Sequence, residues 1–180
     1  MKRAEASGLY LPNAMSLATV TAQGRPQVRV VLLKHADERG FVFYTNLGSG
    51  KSVELRGNPA ASLCFWWGPI EEQIRIDGSV ELVDDDEADA YFATRPRGSQ
   101  LAAWASRQSA ALESRDTLMA EFDRLSDELE GVEVKRPEFW SGYRLLPERF
   151  EFWYGREDRL HERIEYRREG EEWNERLLQP

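Results

Sequence analysis

The sequence predicts a mainly β fold of the α+β kind, a small closed or split barrel of mostly antiparallel strands with peripheral helices. Three observations predict it. The first half of the chain reads as short β-branched and aromatic runs separated by turn residues. Helix formers concentrate in one insertion, about residues 84–130. No strand–helix–strand rhythm runs the length of the chain, which disfavours a doubly wound parallel sheet. The 180 residues show no internal repeat and no low-complexity linker, so residues 1–180 read as one domain.

Met15 to Gln23 is rich in β-branched and small apolar residues, and Gly24-Arg25-Pro26 is a turn signal. Gln27 to Lys34 forms a second strand whose centre, Val30-Val31-Leu32-Leu33, is expected in the core. After a polar turn ending at Gly40, Phe41 to Thr45 is a third strand, expected to pair antiparallel with the second. Ser49 to Arg56 predicts a short helix. Ser62 to Trp67 and Glu72 to Val83 predict strands, the latter interrupted at Asp77-Gly78. Asp84 to Thr94 has acids in its first turn, which suits a helix dipole. A further helical piece is expected over Leu101 to Ser106. Leu118, Phe122, Leu125 and Leu129 fall at helical spacing within Ser114 to Leu129 and are read as core packing. Short strands resume at Phe139 and run to Leu178.

With 41% hydrophobic and 31% charged residues the chain can bury a core under a solvated surface. The net charge of −8 argues against a nucleic-acid binder, which needs excess Lys and Arg against phosphates. Local basic pockets can still take a small phosphorylated ligand. Cys64 is the only cysteine, which excludes an internal disulfide and cysteine-pair zinc sites. His35 and His161 lie far apart, so no metal site is expected. The start lacks the apolar stretch of a signal peptide. No run approaches the ~20 apolar residues of a membrane span. A cytoplasmic protein is expected, with no membrane partner.

Four segments could carry chemistry. Gly48-Ser49-Gly50-Lys51-Ser52 ends like a P-loop, but the full pattern needs a glycine where this chain has Thr45. A Gly/Ser turn entering a helix, with Lys51 beside it, can hold a phosphate in any fold; the alternative is a plain helix cap. In Arg29 to Lys34 two cations flank four apolar residues, or are simply solvated strand-end charges. In Arg95-Pro96-Arg97-Gly98-Ser99-Gln100, Tyr91 and Arg95 share a helix face if the helix reaches that far, and Ser99 could cap the next helix. Tyr, Arg and Ser together suit a phosphate monoester. In Arg159-Leu160-His161-Glu162-Arg163, strand alternation would put Arg159, His161 and Arg163 on one face, about 7 Å apart. Such a face would attract an anion, or pair with neighbouring acids as a solvated surface.

Taken together, six segments in order resemble the pyridoxamine 5′-phosphate oxidase family. They are Arg-Val-Val-Leu-Leu-Lys at 29–34, Phe-Tyr-Thr-Asn at 43–46, Arg-Pro-Arg-Gly-Ser-Gln at 95–100, Ser-Arg-Gln-Ser at 106–109, Glu-Phe-Trp at 151–153 and Arg-Leu-His-Glu-Arg at 159–163. The tail Arg176-Leu177-Leu178-Gln179-Pro180 also matches. The resemblance implies an FMN-binding split β-barrel, a homodimer with FMN at the subunit interface. It implies that Arg29, Lys34, Tyr44, Thr45, Ser49 and Lys51 hold the flavin phosphate and the adjoining ring edge. Gln73, Gln108, Ser109, Trp153 and Arg163 would complete that pocket, some from the partner chain. Lys34, Tyr91, Arg95 and Ser99 would grip the substrate phosphate, with Arg159 and His161 over its ring as the catalytic pair.

The implied reaction is oxidation of pyridoxamine or pyridoxine 5′-phosphate to pyridoxal 5′-phosphate, with O2 as acceptor and H2O2 as product. Two departures stand out. Gly50 replaces a residue that is commonly basic in the family. An N-terminal lid over the substrate is expected to be short or missing. The rival expectations are a flavin oxidase of the phenazine-biosynthesis type, whose substrate lacks a phosphate, and a non-catalytic FMN or pyridoxal-phosphate binder.

Overall fold

The computed structural model describes residues 1–180. In chain order the elements are α1 (Lys2–Ala6), β1 (Ala14–Val20), β2 (Pro26–Leu32), β3 (His35–Asp37), β4 (Gly40–Asn46), α2 (Gly50–Gly57), β5 (Ala60–Trp67) and β6 (Glu72–Leu82). Then follow α3 (Asp85–Ala93), α4 (Arg97–Ala105), α5 (Arg115–Glu128), β7 (Trp140–Tyr154), β8 (Glu162–Glu169) and β9 (Glu172–Leu178). The strands form one nine-stranded sheet, ordered β2-β1-β5-β6-β7-β4-β3, with β8 on β7 and β9 on β8. The pairs β1–β2, β1–β5, β3–β4, β5–β6, β7–β8 and β8–β9 are antiparallel. The sequence thus predicts the β-rich character and the helical insertion correctly.

The chain divides into two compact units, Met1–Phe43 with Glu54–Glu81 and Arg144–Pro180, and Tyr44–Val53 with Leu82–Tyr143. In the first, β1 alternates strictly, with Met15, Leu17 and Thr19 buried. Leu17 pairs with Leu63, and Leu63 with Ile76, so these side chains build the packed face. The opposite face carries Ser16, Ala18 and Cys64 between Val30 and Arg75. In the second unit, Phe92, Leu101, Leu125, Val134 and Trp140 form the core, with Phe122 and Leu129 packed against it.

Several expectations need correction. The apolar centre of β2 is not all core: Val28 and Val30 are 67% and 68% exposed. Parity explains this, because both register with Ala18 and Ser16 on the open face. The expected pairing of the second and third strands does not form either. β2 pairs with β1 over its whole length, and the unforeseen β3 makes the hairpin with β4. Asp77-Gly78 does not interrupt β6. Gly78 stays in the strand because a Cβ there would run into the Leu146 carbonyl, so the glycine permits a close backbone approach. The strands after Phe139 are not all short, since β7 runs for 15 residues. The helix expected from Leu101 starts at Arg97, with Pro96 as its N-cap; Ser99 therefore lies in its first turn and does not cap it.

On the open face of the first unit, Glu151 and Glu165 are buried, 2% exposed each, and are direct cross-strand partners. Buried carboxylates persist only when paired. Arg149 donates to Glu165 at 2.5 Å, to Asp77 at 2.7 Å and to Glu151 at 2.8 Å. Arg163 donates to Glu151 at 2.9 Å, and Arg176 to Glu165. The Arg176 hydrogen bond leads in holding the Glu165 carboxyl down at about 2. A depressed folded-state value means stability that is present above the ordinary carboxylate range and lost as pH falls toward 2. Glu165→Gln should therefore lose about 3 kcal/mol at pH 7. Urea unfolding should show that deficit shrinking steadily below about pH 5; a deficit that stays constant down to pH 2 would remove the charge from the account.

Candidate functional site

In the second unit, the end of β4 and the start of α2 gather polar groups around one ammonium. Ser49 is fully buried and Thr45 nearly so. Lys51 Nζ donates to Thr45 Oγ1 at 3.0 Å, Ser49 Oγ at 3.2 Å and Gln108 Oε1 at 3.1 Å. Thr45 Oγ1 also donates to Gln108 Oε1 at 3.0 Å. The 106–110 loop is tied to this turn: Asn46 Nδ2 donates to the Ser106 carbonyl at 3.3 Å, and the Gly50 N–H to Ser109 Oγ at 3.2 Å. Ser109 has φ +72°, a conformation that costs a non-glycine residue energy and clusters at functional sites. The open amides expected of this turn are in use, since the Gly48 N–H donates to Asn46 Oδ1 at 2.7 Å. The groups that could meet an anion here are the Lys51 ammonium and the Thr45 and Ser49 hydroxyls gathered round it.

A second cluster in the same unit surrounds Arg95. α3 ends at Ala93, so Tyr91 and Arg95 do not share a helix face in the strict sense; they meet at Trp140 instead. The Arg95 guanidinium lies 4.7 Å from the Trp140 ring centre and 5.5 Å from that of Phe92. Its Nη1 is shut off from solvent with no hydrogen-bond partner. Burial lowers its proton affinity, offset only in part by Tyr91. Tyr44 stacks on Tyr91 at 4.0 Å and lies nearly parallel to Trp140. A Cβ on Gly142 would sit 2.8 Å from Tyr44 Cε1, so this glycine makes room for the ring. Ser99 stands partly buried at the start of α4.

The remaining expected residues belong to the first unit. Arg29 shares the packed face with Leu17 and is committed there, donating to Glu54 at 2.7 Å and to Thr19. Lys34 is exposed at the entry to the β3–β4 hairpin, and Gln73 pairs with Trp66 on the open face. Trp153 registers with Arg163 and contacts the Trp66 ring at 5.8 Å and the His161 ring at 4.5 Å. The expected single face of Arg159, His161 and Arg163 needs correction. Residues 157–159 form a 3-10 turn, with Asp158 and Arg159 at φ +55° and +60°, and β8 begins only at Glu162. Strand parity therefore places Arg163 alone. His161 Nδ1 accepts from the Arg156 N–H at 3.2 Å, so the neutral ring carries its proton on Nε2.

Sequence reasoning missed Trp140, Gly142 and Glu151. An isolated Glu between Phe150 and Phe152 in a strand was a usable signal for Glu151. Trp140 and Gly142 carried none, because their roles come from contacts remote in sequence.

The family description "Pyridoxamine 5'-phosphate oxidase" matches residues 1–127, and "Pyridoxine 5'-phosphate oxidase C-terminal dimerisation region" matches residues 140–180. Over 174 residues the chain is 58% identical to a pyridoxine/pyridoxamine 5′-phosphate oxidase of Rubrobacter xylanophilus, covering 97% of this chain and 80% of that protein. Among solved structures it is similar to PhzG from Burkholderia lata 383 in complex with tetrahydrophenazine-1-carboxylic acid. That likeness has a TM-score of 0.95 and 35% identity, covering 99% of this chain and 88% of the other. A pyridoxamine 5′-phosphate oxidase-related, FMN-binding protein from Nostoc punctiforme shares the fold at TM-score 0.82 and 19% identity, over 99% and 95% of the two chains. The fold is the split barrel that the sequence predicts.

The Tyr44 ring gives a direct test of the second cluster. Gly142→Ala should overpack it at a cost of about 1–3 kcal/mol and alter the near-ultraviolet circular dichroism. An unchanged unfolding midpoint and spectrum would mean that the ring has room to spare.

Proposed function

Because the chain belongs to the pyridoxamine 5′-phosphate oxidase family, we propose that it oxidises pyridoxamine or pyridoxine 5′-phosphate to pyridoxal 5′-phosphate, with FMN as cofactor and dioxygen as acceptor. The carrying observation is Arg95, a half-buried guanidinium whose Nη1 is sealed off with no hydrogen-bond partner and which has no carboxylate ion pair. Such a group calls for an anionic ligand, and a phosphate monoester supplies one. Tyr91 and Ser99 assist it, and the exposed Lys34 adds a long-reach cation.

The Lys51 cluster fits the phosphate of FMN. It offers an ammonium and two hydroxyls, and an amide whose oxygen already takes a Lys51 proton. In this reading Thr45, Ser49, Lys51, Gln108 and Ser109 hold the phosphate end. Tyr44, Gln73, Trp153 and Arg163 serve the ring. Arg29 is paired with Glu54, and would join this pocket by exchanging that carboxylate for the flavin phosphate. Bound FMN would supply the redox chemistry, a two-electron oxidation of the substrate with dioxygen as final acceptor and hydrogen peroxide as product. The chain's own residues align the donor carbon. Arg159 and His161 orient the substrate ring, His161 offering its Nε2 proton as a hydrogen-bond donor.

The matched dimerisation region and the open face around Val28, Val30 and Trp66 support a homodimer, with a second copy covering that face. A cytoplasmic location is part of this proposal; no helix is long and apolar enough to cross a membrane. The likeness to PhzG favours a second reading, oxidation of a phenazine precursor.

Purified protein should show flavin absorption that bleaches with pyridoxine 5′-phosphate in the absence of oxygen. In air it should release hydrogen peroxide; FMN binding without turnover would leave a storage protein. Pyridoxine should react at least about 10-fold less efficiently than its phosphate, given the worth of a charged hydrogen bond. Equal rates, with a preference for phenazine precursors, would favour the second reading. Arg159→Leu should keep its flavin and lose about 100-fold in turnover, as expected for a misplaced substrate; unimpaired turnover would take Arg159 out of the mechanism.

A further inference from the structure

An arginine can be fixed in place by a carboxylate or by an aromatic face, and the two have opposite consequences for ligand binding. A carboxylate holds the guanidinium by cancelling its charge, and then competes with any incoming anion. An aromatic face holds it through the ring quadrupole, worth about 0.5–2 kcal/mol, and leaves the positive charge whole. The first unit follows the former pattern, with Arg149 and Arg163 neutralised by Glu151 and Glu165. Arg95 follows the latter.

Its support is built from both ends of α3. At the start of α3, Asp85 and Asp89 accept from Arg136 at 2.7 and 2.5 Å, and Arg136 Nη1 donates to the Trp140 carbonyl at 2.8 Å. Just past the end of α3, Arg95 lies against the Trp140 ring. Phe92 on α3 meets that ring edge-on at 5.1 Å and 71°. The same helix therefore fixes the backbone of Trp140 and delivers the cation to its face. Trp140 is 6% exposed, so water does not compete for that face. The acidic run at the head of α3 neutralises Arg136 and leaves Arg95 its charge.

We propose that Trp140 is a positioning residue that sets the preference for phosphorylated substrates, by holding the half-buried Arg95 guanidinium against its ring without cancelling the charge that a phosphate dianion would meet. The inference rests on the oxidase reading above and adds to it the residue responsible for selectivity. Trp140 acts through Arg95, so its loss raises KM for the phosphate ester and spares the dephosphorylated substrate.

The test compares kcat/KM for pyridoxine 5′-phosphate and pyridoxine in the FMN-loaded wild type, Trp140→Phe, Trp140→Leu and Arg95→Leu, together with competitive inhibition by inorganic phosphate. The preference for the ester should fall in the order Trp, Phe, Leu, about threefold and then about 10-fold, as the quadrupole weakens and vanishes. The loss should lie in KM, with pyridoxine kinetics changed less than twofold and phosphate inhibition weakening in step. Equal losses for both substrates would make Trp140 merely structural and overturn the inference. A preference abolished by Arg95→Leu but intact in the Trp140 variants would overturn the inference alone. A wild type with no preference would overturn the functional reading and the inference together. Should Trp140→Leu fail to fold, phosphate inhibition of Trp140→Phe decides: an unchanged inhibition constant overturns the inference.

Discussion

A guanidinium drawn partly out of water without a counter-charge is costly to keep, and the second unit keeps one in Arg95. Burial presses against its charged form, and arginine cannot respond by deprotonating near neutral pH. The strain is tolerable only if the surrounding rings partly compensate and an anionic ligand supplies the rest. Phe92 and Trp140 provide the rings, and Tyr44 and Tyr91 lie parallel to Trp140. Gly142 provides the space that Tyr44 needs.

Cations are held in two contrasting ways. On the open face of the first unit, Arg75, Arg149, Arg163 and Arg176 surround Asp77, Glu151 and Glu165, and each carboxylate has an arginine partner. That network makes a rigid floor for Trp153 and Arg163, whose places in the sheet it fixes through β7 and β8. In the second unit Lys51 is surrounded by neutral oxygens from Thr45, Ser49 and Gln108, and Arg95 by rings. Neutral partners hold a cation in place while preserving its field for a ligand. In the proposed function these two cations make two local anion sites within an acidic protein of net charge −8.

Much of this was legible in the sequence, for physical reasons that vary by element. β1 was readable because one-sided burial imposes period two, and Met15, Leu17 and Thr19 obey it. α5 was readable through Phe122, Leu125 and Leu129. β2 misled because its valines are apolar on both faces, and hydrophobicity does not say which face is covered inside one chain. β3 escaped notice because three exposed residues, His35–Asp37, carry no pattern at all. Around the site, the residue types of Lys51, Arg95 and Arg163 were legible, while their partners were not. The 159–163 segment shows why: alternation was assumed through a turn in which Asp158 and Arg159 take positive φ. Trp140 lies 45 positions from Arg95 by residue number, a separation that no local rule spans.

The most direct measurement is a crystal structure of the flavin-loaded protein with pyridoxal 5′-phosphate bound. A phosphate oxygen should stand about 3 Å from a nitrogen of the Arg95 guanidinium, with the guanidinium still on the Trp140 face and the Lys51 cluster on the other phosphate. A product phosphate lodged elsewhere, with Arg95 turned toward a carboxylate, would contradict the account.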